Sequence, residues 1–140
     1  MQPESELTAA WLRKADDDIR AAEVTLSAHP PLYWVSAFHA QQAVEKALKG
    51  ILSYHQVEYE KSHDIGYLIE LCETLDPRIG AIGDMASRLT RYAVDARYPM
   101  LRTEPMEDDA RAALDVAREV VGMVRQSLPP SAQDRESSTG

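Results

Sequence analysis

"FHAQQAVEKALKGIL", residues 38–52, carries two patterns at once. Ala40, Val44, Ala47, Leu48 and Ile51 recur at steps of three and four, so at about 100° per residue they share one face of an α-helix. That face is rich in alanine, which lets a neighbouring helix approach closely. His39, Gln42, Glu45, Lys46 and Lys49 spread over about 120° on the other side. The row reads either as a solvated surface steadied by ion pairs one turn apart or as a face that binds something. Phe38 and Val35 fall among these polar positions, which points to partial cover by another element or subunit.

Outward from this stretch, the same helix is predicted over Leu32 to Tyr54, with Ala37 joining its apolar face. Upstream, Leu7, Trp11, Ala15, Ile19, Ala22 and Leu26 predict an amphipathic helix with Asp16, Asp17 and Glu23 on its far side. Pro30 and Pro31 end that segment, because proline lacks the amide hydrogen and restricts the residue before it. Downstream, "HQVEYEKSHDIG" is a loop leading to a short third helix through Ile65, Leu68, Ile69 and Cys72, capped by Ser62 or Asp64. After a turn at Asp76-Pro77, Ile79, Ile82, Ala86, Leu89, Ala93 and Ala96 predict one fourth helix that stops before Pro99. The stretch "RYPMLRTEPMEDD" connects it to a fifth, with Thr103 or Glu104 as cap, Pro105 in the first turn, and Glu107, Asp108 and Asp109 suiting the positive helix start. Ala110, Leu114, Ala117, Val121, Val124 and Leu128 continue it. The expected architecture is all-α, an up-and-down bundle of about five helices over residues 1–128, with a disordered tail over 129–140.

A chain of 140 residues suffices for one core. Its single cysteine, Cys72, cannot form an internal disulfide, and its four histidines are scattered, so neither staples nor a structural zinc site are expected. No stretch reaches the ~18 consecutive apolar residues of a membrane span, and "MQPESELTAA" lacks the basic and apolar regions of a signal peptide. The expectation is a soluble, cytoplasmic protein with no membrane partner. The net charge of −8 argues against a protein that coats nucleic acid through a broad basic surface. Only residues 78–102 are net basic, with Arg78, Arg88, Arg91, Arg97 and Arg102 against Asp84 and Asp95.

That basic stretch contains "RYAVDARYP", residues 91–99. Arg91 and Asp95 stand one helical turn apart and can pair. Pro99 pushes Tyr98 toward an extended conformation, so Arg97 and Tyr98 can leave the helix end together. A guanidinium presents paired donors to a phosphate, and a phenol ring can stack on a base or fill a subunit contact. The bland alternative is an arginine on helix carbonyls and a tyrosine packed on the bundle.

In that order, "FHAQQAVEKALKGIL", "SHDIGYLIEL" and "YAVDARYP" resemble the HEPN domain, named for higher eukaryotes and prokaryotes nucleotide-binding, over about residues 7–128. The resemblance implies a helical bundle that often dimerises. It matches the family's pattern at Glu45, Lys46 and Lys49, at His63, and at Arg97, Tyr98 and Pro99. With it, His39, Glu45, Lys46, Lys49, His63, Arg91, Arg97 and Tyr98 become the candidate nucleotide or RNA phosphate site, in which the cations would meet inside an acidic protein. Crowding of Tyr33, Trp34 and Phe38 at the start of the second helix fits a homodimer contact.

Two functions follow from the resemblance. One is a dimeric binding module that partners a separate minimal nucleotidyltransferase in a toxin-antitoxin-like pair; this sequence has no Gly-Ser motif with paired aspartates, so that enzyme would be another chain. The other is a metal-independent endoribonuclease of toxin type. The family's nuclease motif places an arginine four to six residues before a histidine, a spacing that does not occur here; Arg20 precedes His29 by nine. His63 and Arg97 from separate segments would be a different constellation, an acid-base group and a phosphate clamp. Other chemistry finds little support. Ser36 and His39 have no evident orienting acid. Asp16, Asp17 and Asp18 point about 100° apart on a helix and do not converge. No glycine-rich phosphate loop occurs, and the methionines Met85, Met100, Met106 and Met123 read as gap fillers. No cofactor or metal is expected.

Overall fold

The structure is a computed structural model that describes residues 3–95 and 104–133. Its helices are α1 (Pro3–Leu26), α2 (Tyr33–Tyr54), α3 (Ile65–Glu73), α4 (Pro77–Ala81), α5 (Gly83–Ser87), α6 (Thr90–Asp95) and α7 (Glu107–Gln126), followed by a 3-10 turn at Pro130–Ala132. No strand occurs among the described residues, and the fold is the expected all-α bundle. Among the described residues, no helix is long and apolar enough to cross a membrane.

α2 is the central element, packed against α1, α7, α3 and α6. Ala37, Ala40, Ala43 and Ala47 are all fully buried, as their small size requires at close helix approaches. The α1/α2 register is antiparallel: Thr8 Oγ1 donates to the Gly50 carbonyl at 3.0 Å, and Ser36 Oγ donates to the Ala22 carbonyl at 2.8 Å. A Cβ on Gly50 would lie 3.3 Å from Trp11 Cβ, so this crossing uses the missing side chain. The buried stripe of α1 holds the expected Ala15 and Ala22 but differs in its first turns, where Thr8 and Leu12 are fully buried and Leu7 is half exposed. α1 also runs antiparallel to α7, where Arg125 grips Asp16 with two nitrogens at 2.8 and 2.5 Å, and Arg118 reaches Glu23 at 2.5 Å.

The predicted fourth helix is three short ones. Its burial pattern survives, with Ile79, Ile82, Ala86, Leu89 and Ala93 all in the core. The backbone does not stay helical: Ile82, at φ −95° and ψ 1°, ends α4 and starts α5. Gly80 and Gly83 lower helix propensity there, and both sit where a side chain would collide with α3. A Cβ on Gly83 would be 3.0 Å from Ile69 Cγ2, and one on Gly80 would be 2.6 Å from Glu73 Oε2. Hugging α3 replaces helical continuity.

Caps follow local chemistry. Asp64 accepts from the Tyr67 amide at the start of α3, and Asp76 from the Arg78 amide at the start of α4, with Pro77 in the first turn. At α7 the cap is one position beyond Pro105. Met106 is the N-cap, its amide donating to Asp109 Oδ2 at 2.9 Å, so Glu104 does not fill that place, and Thr103 lies outside the described residues. Past Leu128 the chain keeps packing: Ala132 is fully buried, and the 3-10 turn lies against α1. This turn lies in the segment expected to be a tail, of which residues 134–140 lie outside the described residues.

Candidate functional site around the polar row of the central helix

The polar row is not the wet side of α2. Glu45 is 3% exposed and Gln41 is fully buried, because α1 and the loop between α2 and α3 cover this side. The row divides into two stripes, each gathered on one carboxylate.

On the α1 side, Asp18 gathers an imidazole and an ammonium. Its Oδ1 lies 2.8 Å from His39 Nδ1, and its Oδ2 accepts from Lys46 Nζ at 2.5 Å. The Asp18 side chain is 9% exposed, so its charge is compensated inside the α1/α2 seam. Phe38 packs edge-on against the His39 ring at 5.5 Å. Of the acidic run in α1, Asp16 goes to Arg125, Asp18 to α2, and Asp17 to solvent, the divergence that 100° steps impose.

On the loop side, Glu45 is the hub. Its Oε1 accepts from Gln41 Nε2 at 3.1 Å and lies 2.8 Å from His63 Nδ1; its Oε2 accepts from Lys49 Nζ at 2.9 Å. Residues 41, 45 and 49 are successive turns of one helical stripe, so a single face of α2 supplies three of the four groups. The cap of α3 fixes the fourth, since Ser62 Oγ accepts from the Asp64 amide at 2.9 Å and Asp64 caps α3. Burial on its own would raise the Glu45 pKa. The hydrogen bonds from Lys49 and His63 and the charge of Lys49 outweigh it and hold the carboxyl below its ordinary range. An ionised Glu45 requires the proton of His63 on Nδ1, which makes Nε2 the basic atom of the neutral ring. The His63 side chain is 45% exposed.

Beside this hub is a pocket of about 540 Å³ lined by Trp11, Lys49, Tyr59, Lys61, Ser62 and His63. Lys49 Nζ lies 5.7 Å from the centre of the Trp11 ring. Four of the lining residues were not among the expected site residues. Trp11 reads as part of the apolar stripe of α1, and Tyr59, Lys61 and Ser62 belong to a loop whose path no periodicity foretells. Asp18 was also missed, although three consecutive acids on a helix must send one of them toward the core side.

The expected single gathering of cations is not what the described residues form. His39 and Lys46 meet on Asp18, Lys49 and His63 on Glu45, and Arg91 goes elsewhere. Its Nη2 donates to the Tyr92 hydroxyl at 3.0 Å, its guanidinium lies 4.7 Å from the Tyr92 ring centre, and it lines a separate groove of about 430 Å³ with Arg88, Leu89 and Val116. Arg97, Tyr98 and Pro99 lie outside the described residues, as does the side chain of Asp95, the expected partner of Arg91. Among the described residues, no group of three or more histidine, cysteine or acidic side chains is arranged to hold a metal.

The fold and the sequence have relatives. The crystal structure of ST0689, an archaeal HEPN homologue, superposes with a TM-score of 0.68 at 25% identity, over 85% of this chain and 95% of that one. No curated protein matches the sequence. The family description "HEPN domain" fits residues 8–127, from the first buried turn of α1 to the end of α7, and the chain belongs to the HEPN domain family.

Proposed function

We propose that this chain binds RNA phosphate beside Lys49 and His63 and cleaves the strand without a metal ion. The observation that carries this reading is the hub on Glu45: a buried carboxylate that orients a half-exposed histidine at 2.8 Å, next to an ammonium. This is the arrangement acid-base catalysis needs, because the carboxylate fixes the tautomer and stabilises the imidazolium that forms. His63 Nε2 takes the proton of a ribose 2′-hydroxyl. The 2′-oxygen bonds to the adjacent phosphorus, the bond to the 5′-oxygen breaks, and that oxygen takes a proton from water, whose hydroxide is neutralised by the proton held on His63. The products are a 2′,3′-cyclic phosphate and a 5′-hydroxyl. Lys49 opposes the negative charge that builds on the phosphoryl oxygens. Glu45 is a positioning residue.

The second reading is a non-catalytic module that binds a nucleotide or RNA phosphate and partners a separate minimal nucleotidyltransferase. It is favoured by the missing arginine-to-histidine spacing of the family's nucleases. Both readings include a cytoplasmic homodimer, for which Leu32 and Trp34, 43% and 45% exposed at the start of α2, supply apolar area. Sedimentation showing only monomer at micromolar concentration removes the dimer.

Labelled RNA incubated with the protein in EDTA separates the two. Cleavage to cyclic-phosphate ends, lost in His63→Ala and in Lys49→Ala, supports the nuclease. Binding without cleavage, weakened in Lys49→Ala, replaces it with the binding module. Neither binding nor cleavage refutes both.

A further inference from the structure

We propose that the groove between the α5–α6 segment and the first half of α7 is a docking site for an acidic amphipathic helix of a partner protein. The groove shares no described lining residue with the pocket beside Glu45, so the proposal stands whether or not the chain cleaves RNA.

The walls suit a helix. On the α7 side, Asp109, Ala112, Ala113 and Val116 fall within two turns of one face, a wall about 10 Å long. Its two alanines keep that wall low, which lets another backbone come close. Leu89, Ala113 and Val116 are buried and form an apolar floor. At the opposite edge stands Met85, 53% exposed, whose unbranched thioether adapts to the surface it meets. The volume of about 430 Å³ gives room for the apolar side chains that two turns of an amphipathic helix project from one side.

The charges choose the sign of the partner. Arg88 and Arg91 are both exposed at this groove. Arg88 forms no ion pair among the described residues. Arg91 donates to the Tyr92 hydroxyl at 3.0 Å, a neutral acceptor that fixes the guanidinium without cancelling its charge. The acid in the described lining, Asp109, is committed to the Met106 amide at the start of α7. Two guanidiniums beside an apolar floor match carboxylates spaced along a helix between apolar side chains, and they repel a basic one. These arginines belong to the one net basic stretch of a chain whose net charge is −8, so an acidic partner is repelled elsewhere and admitted here. A nucleic-acid strand finds less. Tyr92 is the one aromatic ring of the described lining, is 8% exposed, and already has the Arg91 guanidinium 4.7 Å from its centre, so a base has no open ring face to stack on.

Short fluorescein-labelled peptides of about three helical turns test this by anisotropy with the full chain. One has leucines at steps of three and four with glutamates between them, the second replaces glutamate by lysine, and the third is a scrambled isomer of the first. The expected result is that the acidic amphipathic peptide binds at least about tenfold more tightly than either of the others and that added salt weakens it. Arg88→Ala weakens it about two- to fivefold, as the loss of an exposed ion pair allows. Ala112→Glu weakens it more, because it sets a larger, negative side chain on the low wall. Both positions are exposed, so each variant should keep the parent's circular dichroism; should one not, the salt dependence and the comparison of the three peptides decide. Equal binding of the acidic and basic peptides, no binding at millimolar peptide, or acidic-peptide binding untouched by both substitutions overturns the docking site. RNA bound more tightly than the acidic peptide, and lost in Arg88→Ala, overturns it in favour of a nucleic-acid surface. A dimer that Ala112→Glu splits in sedimentation, with no peptide bound by the parent, overturns it in favour of contact between two copies of this chain.

Discussion

Replacing Glu45 by glutamine removes one charge from the middle of the molecule and keeps its shape. The carboxylate is 3% exposed and receives hydrogen bonds from Gln41, Lys49 and His63. Lys49 is hit hardest, because its side chain is 13% exposed and water can replace the lost partner only in part. Breaking a buried pair by removing one partner costs ~3–5 kcal/mol. His63 is half exposed and recovers water, and glutamine still offers one acceptor, so the expected loss is at the lower end, about 3 kcal/mol. For a domain of this size that lowers the melting temperature by roughly 10 °C. The pH dependence has a definite sign. The folded-state pKa of Glu45 lies below its ordinary value, so its contribution is fully present above the unfolded carboxylate pKa, about 4.3. It is lost as pH falls through the lower folded value. Urea unfolding of both proteins should therefore show a gap that is present at neutral pH and closes as pH falls well below about 4. A Glu45→Gln variant within about 0.5 kcal/mol of the parent at pH 7, or a gap that stays open in strong acid, refutes the account of Glu45 as an ionised hub.

Two glycines in long helices should respond in opposite directions. Gly50→Ala presses a methyl against Trp11 Cβ, which is fixed to the α1 backbone, and should lower stability by about 1 kcal/mol or more despite alanine's better helix propensity. Gly122→Ala meets nothing within 4 Å and should raise it by up to about 1 kcal/mol, both read from urea midpoints. Burial pushes the Cys72 thiol up to about 12, and its Sγ faces the Leu48 carbonyl at 3.7 Å. A thiol reagent at pH 8 should therefore label the protein only at the rate at which it unfolds, and rapid labelling of the native chain contradicts this burial.

Much of the fold was legible because the signals are local. The stripes of α2, α3 and α7 repeat at three and four residues, and Asp64 and Asp76 stand where a side-chain oxygen reaches the first free amides. The break of the predicted fourth helix was less legible. Its apolar spacing continues through residues 79–93, and the reason for the break, the approach of Gly80 and Gly83 to α3, involves residues remote in sequence.

The order of residues alone was enough to place Glu45 and Lys49 on one helical face, because their spacing and the helical repeat are the same chain's geometry. It also carried the motifs by which the HEPN domain is recognised. Which side of α2 would be dry, and which acid each cation would meet, was decided only when α1 and the α2–α3 loop closed over it. His39 and Asp18 are 21 residues apart, and His63 and Glu45 are 18 apart. Periodicity measures angles around one helix axis, whereas these pairings depend on where a second segment of backbone runs. A row that looks solvated in isolation thus becomes two compensated charge clusters once a neighbouring element excludes water from it.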